Sequence, residues 1–206
     1  MTPPQAAGRL GANPAAATRA AERTGLTVLA AASWPASRPA GELPAIAGFI
    51  VSPFSPLAAA LAEECLAGHL GDPPADQALG ERTAIVLASA TGDLATAAAV
   101  ASAVDAGTRV PPLLFFQSNP NAVAGHVAAR WGLAGPVVCT RPAGDPLADA
   151  LASAELLIED DAADAVLVIV ANAYRDGTAD GLALLLRDDR RRSEAPAQAT
   201  SPGAAR

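Results

Sequence analysis

Residues 165–171 read Ala-Val-Leu-Val-Ile-Val-Ala, an unbroken apolar run with Asp164 before it and Asn172 after it. The run is strand length, far short of the ~20 residues that a membrane helix needs. With no polar alternation, it suits a strand buried on both faces. A strand of that kind needs helices above and below it, which points to a layered α/β domain. Residues 181–187 (GLALLLR) make a second strand after a turn-rich link from Tyr174 to Asp180. That link is too short for a crossover helix, so the two strands are expected to run antiparallel.

Upstream, strand and helix patterns alternate. Residues 27–34 (TVLAAASW) read as a first or edge strand, 83–89 (TAIVLAS) as a buried strand and 136–140 (PVVCT) as another. Ser55 followed by Pro56 reads as a helix start, with Gly71 as its stop. Residues 94–106 read as a helix of small residues. Asn121 opens a helix with Val123, Val127 and Trp131 on one face, and Gly132 closes it. Asp145-Pro146 caps a helix whose Leu147, Leu151, Ala154 and Ile158 form one stripe, with Glu155, Glu159 and Asp160 facing water. The expected domain spans residues 25–187, with a mixed, mostly parallel sheet between helices.

Residues 1–24 and 188–206 are Ala, Pro, Gly and Arg without an apolar stripe. Both read as segments that bury too little apolar area to become ordered. Composition narrows the function further. The chain has 54 Ala and no Lys, and its 14 Arg against 21 acidic residues leave a net charge of −7. An acidic chain without a basic stripe offers no footprint for nucleic acid or anionic lipid. Residues 26–33 follow several Arg and faintly imitate a signal peptide. The leading segment is long and holds Glu22, and the apolar run is short, so a cytoplasmic protein is expected.

Candidate chemical groups are few. Cys65, Cys139, His69 and His126 lack the spacing of a zinc site, and two cysteines make no disulfide framework. Cys65 and His69 share a helix face without a second pair of ligands. No nucleophile elbow, dinucleotide loop, phosphate loop or zinc-protease motif occurs, so neither a metal nor a nucleotide cofactor is expected. The acid pairs Glu63-Glu64, Asp160-Asp161 and Asp188-Asp189 read as solubilising, and Asp93 as a loop or cap residue.

Residues 110–171 carry more specific information. Pro120-Asn121-Ala122 followed by Ala124-Gly125-His126-Val127-Ala128 resembles the "PNxxAGHxA" helix of β-ketoacyl synthases, the condensing enzymes of the thiolase-like fold. Gly132-Leu133 and then Gly135-Pro136 resemble that family's turn into a strand, and Ala163-Asp164 its entry into the next one. Ser52-Pro53-Phe54 with Leu57–Ala60 resembles an early helix, and Val86–Asp93 stands where the family has a strand ending in Gly and Asp. The likeness covers roughly residues 45–190 and implies the amino-terminal half of a thiolase-like fold.

The resemblance also implies what is missing. The family's nucleophilic Cys lies nine residues after the Gly of the Gly-Pro turn, and counting from Gly135 reaches Gly144, which can attack nothing. The catalytic His and Lys of the family belong to its carboxy-terminal half. The implied function is therefore a non-catalytic, chain-length-factor-like subunit partnering a full-length ketosynthase, and reaching acyl-carrier protein only indirectly. On this reading Leu113 to Asn121 line the acyl tunnel, through Leu114, Phe115, Phe116, Gln117 and Asn119. Asn121, Val123, His126, Val127, Val137, Val138 and Cys139 would face the partner. The alternatives are an acyl transferase or hydrolase using Cys139, and a scaffold half-domain without a tunnel.

Overall fold

The computed structural model describes residues 13–35, 40–142 and 144–188. Its sheet consists of β1 (Thr27–Trp34), β2 (Thr83–Ala88), β3 (Val137–Thr140), β4 (Ala165–Ala173) and β5 (Ala179–Arg187), in the order β1-β5-β4-β2-β3. The apolar run at 165–171 is the central strand, buried at every position. It pairs antiparallel with β5, placing Val168 opposite Leu184, and parallel with β2, placing Val168 opposite Val86. β1 joins β5 antiparallel and β3 joins β2 parallel. The sheet is mixed as expected and divides evenly, parallel on the β3 side and antiparallel on the β1 side.

The strand period of two sorts the core into two layers. Ile85, Leu87, Leu167, Ile169 and Leu185 point to one face, covered by α2 (Phe54–Leu70) and α6 (Asn121–Trp131) through Leu57, Leu61, Leu66, Val127 and Trp131. Val86, Val166, Val168, Val170 and Leu184 point to the other, covered by α7 (Pro146–Glu159) and α1 (Pro14–Arg23). Truncating a fully buried Leu167 or Ile169 to Ala costs about 2–5 kcal/mol, because both layers are closed around it.

Between these elements lie a 3₁₀ turn at Ala40–Glu42, α3 (Gln77–Glu81), α4 (Leu94–Asp105) and α5 (Pro112–Gln117). Asp145 caps α7 by accepting from the Leu147 N–H at 3.0 Å, and Asp93 caps α4 by accepting from Thr96 N–H at 2.9 Å.

Three expectations need correction. Residues 13–24 are not a mobile lead: Asn13 caps α1 and Ala17 and Ala21 are buried in the α7-side layer. An Ala-only stripe carries little apolar area, but it lets a helix approach closely. Ser55 does not cap α2; it lies inside the helix, and the Ser52 hydroxyl accepts from the Phe54 N–H at 3.2 Å. Glu63 is not merely solubilising, since it accepts from Arg130 and Trp131. Residues 1–12 and 189–206 lie outside the described residues.

Candidate functional site

The carboxyl ends of β2 and β3 open into a cavity of about 370 Å³. Leu87 and Ser89 form one side, Cys139 and Thr140 another, with Phe54 of α2 at the back and Asn119 and Asn121 at the rim. In a parallel arrangement the strand ends leave a crevice where the connections diverge, which is where α/β sheets usually bind ligands.

The loop 89–92 is held from behind by polar groups in the β4–β5 hairpin. Asn172 Oδ1 accepts from the Ser89 hydroxyl at 3.3 Å and from Ala90 N–H at 3.0 Å. Its Nδ2 donates to Asp180 Oδ1 at 3.3 Å, and the Tyr174 hydroxyl donates to the same carboxylate at 2.9 Å. Asn172 and Asp180 are directly opposite in the register and fully buried. This network was not foreseen, although one polar residue at the end of each apolar run is a visible signal. Each of these buried groups has a partner, which is the condition for keeping it there.

Cys139 lines the cavity, but from a strand rather than from a helix start. Burial pushes its thiol up to about 11. It is therefore neutral at physiological pH, and the thiolate is the nucleophilic form. Cys65 is buried deeper in α2, and desolvation takes its thiol to about 12. Gly144 lies immediately before Asp145, the cap of α7, and a Cβ built on it would meet nothing within 4 Å. The position is thus at the amino end of a helix, with space for a side chain and none present.

The other expected site residues divide. Phe115 and Phe116 are exposed on α5, and Asn119 stands at the cavity rim. Leu114 and Gln117 are buried and do not line an open wall. Within the wall segment, residues up to Gln117 belong to the helix α5, which begins at Pro112, a residue that fits a first helical turn. Val123 and Val127 belong to this chain's own core at 1% and 3% exposure, so they cannot face a partner. His126 is half-buried and packs edge-on against Phe49, with ring centroids 5.9 Å apart. Val137 is exposed, while Val138 and Cys139 are partly covered from the α7 and α6 sides. Among the described residues no group of three His, Cys, Asp or Glu side chains could hold a metal ion.

The sequence model of the β-ketoacyl synthase N-terminal domain matches residues 30–178, well over half of the chain. The chain belongs to the β-ketoacyl synthase family. Solved members of similar fold include a ketosynthase in complex with its chain length factor from Xenorhabdus doucetiae (22% identity, TM-score 0.55, 75% of this chain and 66% of that one). The ishigamide ketosynthase/chain length factor gives 20% identity and a TM-score of 0.57 over 75% of this chain and 49% of that one. A β-ketoacyl synthase from Burkholderia phymatum STM815 gives 19% and 0.55 over 85% and 55%. At these identities the likeness is one of fold, and the chain spans about half to two thirds of each. No curated protein matches the chain.

The Gly135-Pro136 turn has a steric basis in this chain. A Cβ on Gly135 would lie 2.5 Å from the Thr83 carbonyl oxygen, whereas the Gly135 N–H donates to that oxygen at 3.2 Å. Only glycine lets the chain pass this close to β2 before entering β3. Gly132, at φ +69°, closes α6 in the left-handed conformation just upstream.

Proposed function

We propose that this ketosynthase-family chain is a non-catalytic, chain-length-factor-like subunit that pairs with an active, full-length ketosynthase in a type II polyketide, polyene or fatty-acid-like pathway. The observation that carries the reading is Gly144. It stands at the amino end of α7, where the family resemblance places the nucleophile, and it has no side chain. A helix amino terminus lowers a thiol's pKa and stabilises its thiolate. Cys139, five residues upstream, has no such support and is pushed up to about 11, which weighs against an acyl transferase or hydrolase built on it.

Two of the similar solved structures are of ketosynthases together with chain length factors. The partner would supply the reactive Cys and receive the acyl-carrier protein. This chain would supply part of the wall around the growing acyl chain, through Phe115, Phe116 and Asn119. Val137, Asn121 and His126 would lie at the contact, because β3 is an edge strand of the sheet and α6 runs beside it. No helix among the described residues is long and apolar enough to cross a membrane, and the cytoplasm is the compartment in this reading.

Co-expression with an active, full-length ketosynthase of the same organism tests the proposal. The two should co-elute in size-exclusion chromatography at micromolar concentration, and product length should change when this chain is left out. Separate elution and an unaltered ketosynthase would overturn it. A covalent acyl adduct on this chain after incubation with acyl-thioesters, seen by intact mass, would favour the Cys139 alternative.

A further inference from the structure

Ile50 and Val51 leave the body of the domain at a tight turn. The Ser52 N–H donates to the Ile50 carbonyl at 2.9 Å, across Val51, whose φ is +76°. A γ-turn with positive φ at its centre is rare and strained, the more so for a β-branched residue. Such strain persists only where the surroundings over-determine the conformation.

Gln117 supplies that constraint. Its side chain is buried, and its Oε1 accepts from the Ile50 N–H at 2.8 Å. Its Nε2 donates to the Ile50 carbonyl and, at 2.7 Å, to the Thr96 hydroxyl of α4. One buried amide thus ties the turn to two helices. No residue of the 44–62 or 110–125 segments is charged.

What the clamp presents is apolar and open to water. Ile50 is 49% exposed and Val51 60%; on α5, Leu113 is 36%, Phe115 78% and Phe116 54% exposed. These five make up most of the exposed large apolar side chains among the described residues. At those fractions they leave about 500 Å² of apolar surface, over half of the ~800 Å² that one partner buries in a standard interface. Ring contacts carry the face onward, since Phe116 lies 6.1 Å from Phe49, which in turn packs on His126 of α6. A face of this size without charge fits an equally apolar, uncharged protein surface.

We infer that Gln117 is a positioning residue that locks the strained Val51 turn, so that Ile50, Val51, Phe115 and Phe116 form one apolar docking face for the ketosynthase subunit. The inference rests on the pairing proposed above. It extends the contact beyond the edge strand β3, to which it connects through Phe49 and His126, and on it Phe115 and Phe116 would serve both the contact and the wall of the acyl chain.

Two measurements test it on the full chain. At an ordinary position Gly is less stable than Ala, but at a positive φ the order inverts. Val51→Gly should therefore melt about 2–4 °C above Val51→Ala, and the inversion should vanish when Gln117→Leu is added. An ordinary order in the wild-type background would overturn the clamp. In the second measurement, Phe115→Asp should keep the circular dichroism of the wild type and weaken association with the co-expressed ketosynthase at least tenfold. Wild-type affinity in Phe115→Asp would overturn the docking face while leaving the pairing intact. Failure of the wild-type chain to pair would overturn both. A homodimer of this chain that Phe115→Asp dissolves would assign the face to a second copy and overturn the inference.

Discussion

Glu63 of α2 holds Arg130 of α6 through a two-pronged contact, Oε2 to Nε at 2.8 Å and Oε1 to Nη2 at 2.7 Å. The same carboxylate accepts from the Trp131 indole N–H at 3.0 Å. Trp131 is fully buried beneath it, so the carboxylate satisfies the one polar atom of the largest fully buried side chain. The ion pair itself is half in solvent and worth little, about 0.2–1 kcal/mol. An indole N–H left without a partner costs more, about 1–3 kcal/mol. Glu63→Ala should therefore lose about 1–3 kcal/mol in urea unfolding. Glu63→Gln, which keeps an acceptor for the indole, should lose clearly less. Equal losses would show that the charge, not the indole partner, matters.

Acid should erase the advantage of the wild type over Glu63→Gln. The Arg130 hydrogen bond holds the Glu63 carboxyl below its ordinary 4.5, against the opposing effect of burial, and the Trp131 hydrogen bond adds to it. A depressed carboxyl stabilises the fold above the unfolded value and loses that contribution as pH falls through the folded one. The difference in urea midpoint should be constant from pH 7 to about 5 and shrink below about 4.5. A difference that grows on acidification would contradict the assignment.

Gly135→Ala should be among the most damaging single-methyl additions in the chain. The new Cβ would meet the Thr83 carbonyl at 2.5 Å and the Ala84 nitrogen at 2.8 Å, both backbone atoms of a central strand that cannot move aside. Relief requires β3 to shift away from β2, which loosens the pairing of Ile85 with Val137. A loss of about 1–3 kcal/mol is expected from such overpacking. Thermal unfolding measures it, and an unchanged midpoint would mean that the turn relaxes freely.

The strands were legible because their signal is local: an unbroken apolar run at 165–171, and a link from Tyr174 to Asp180 too short to cross over. Asp145 was legible as a cap for the same reason. α1 was not, because Ala17 and Ala21 look the same in a docked helix as in a solvated one. The periodicity of Val123, Val127 and Trp131 revealed a single face but not what it packs on. That depends on where α2 lies, which is a matter of tertiary arrangement. The resemblance pointed to Gln117 only as a wall residue, and its hold on the Val51 turn has no local signal, since its two partner residues, Thr96 and Ile50, lie 21 and 67 residues away. The Gly144 position was reached by counting residues, and its significance depends on α7 beginning two residues later.

Val137→Arg separates folding from pairing. Val137 is 41% exposed on β3, one of the two edge strands, which among the described residues pairs only with β2. A charge there should change the stability of the isolated chain by no more than about 0.5 kcal/mol. Placed against a partner it would be buried unpaired, costing several kcal/mol, and co-elution with the ketosynthase should be lost. Val138→Arg is the contrast, since Val138 packs on the α7-side core and its replacement should also lower the unfolding midpoint. A Val137→Arg chain that still co-elutes would move the contact away from β3.

Gly144→Cys should create the most reactive thiol in the chain. Position 144 is exposed, free of steric neighbours, and next to the cap of a helix that runs from Pro146 to Glu159. The N-terminal end of that helix favours thiolate. Asp145 and Asp149 oppose it through their charge, so the shift should be moderate. The two native thiols provide internal controls, because burial keeps Cys139 at about 11 and Cys65 at about 12. At pH 7.5 the new thiol should take up iodoacetamide at least tenfold faster than Cys139, with Cys65 slowest, as read by peptide mass spectrometry over time. A new thiol no faster than Cys139 would mean that position 144 is not presented at the helix start, and the argument from its missing side chain would fail with it.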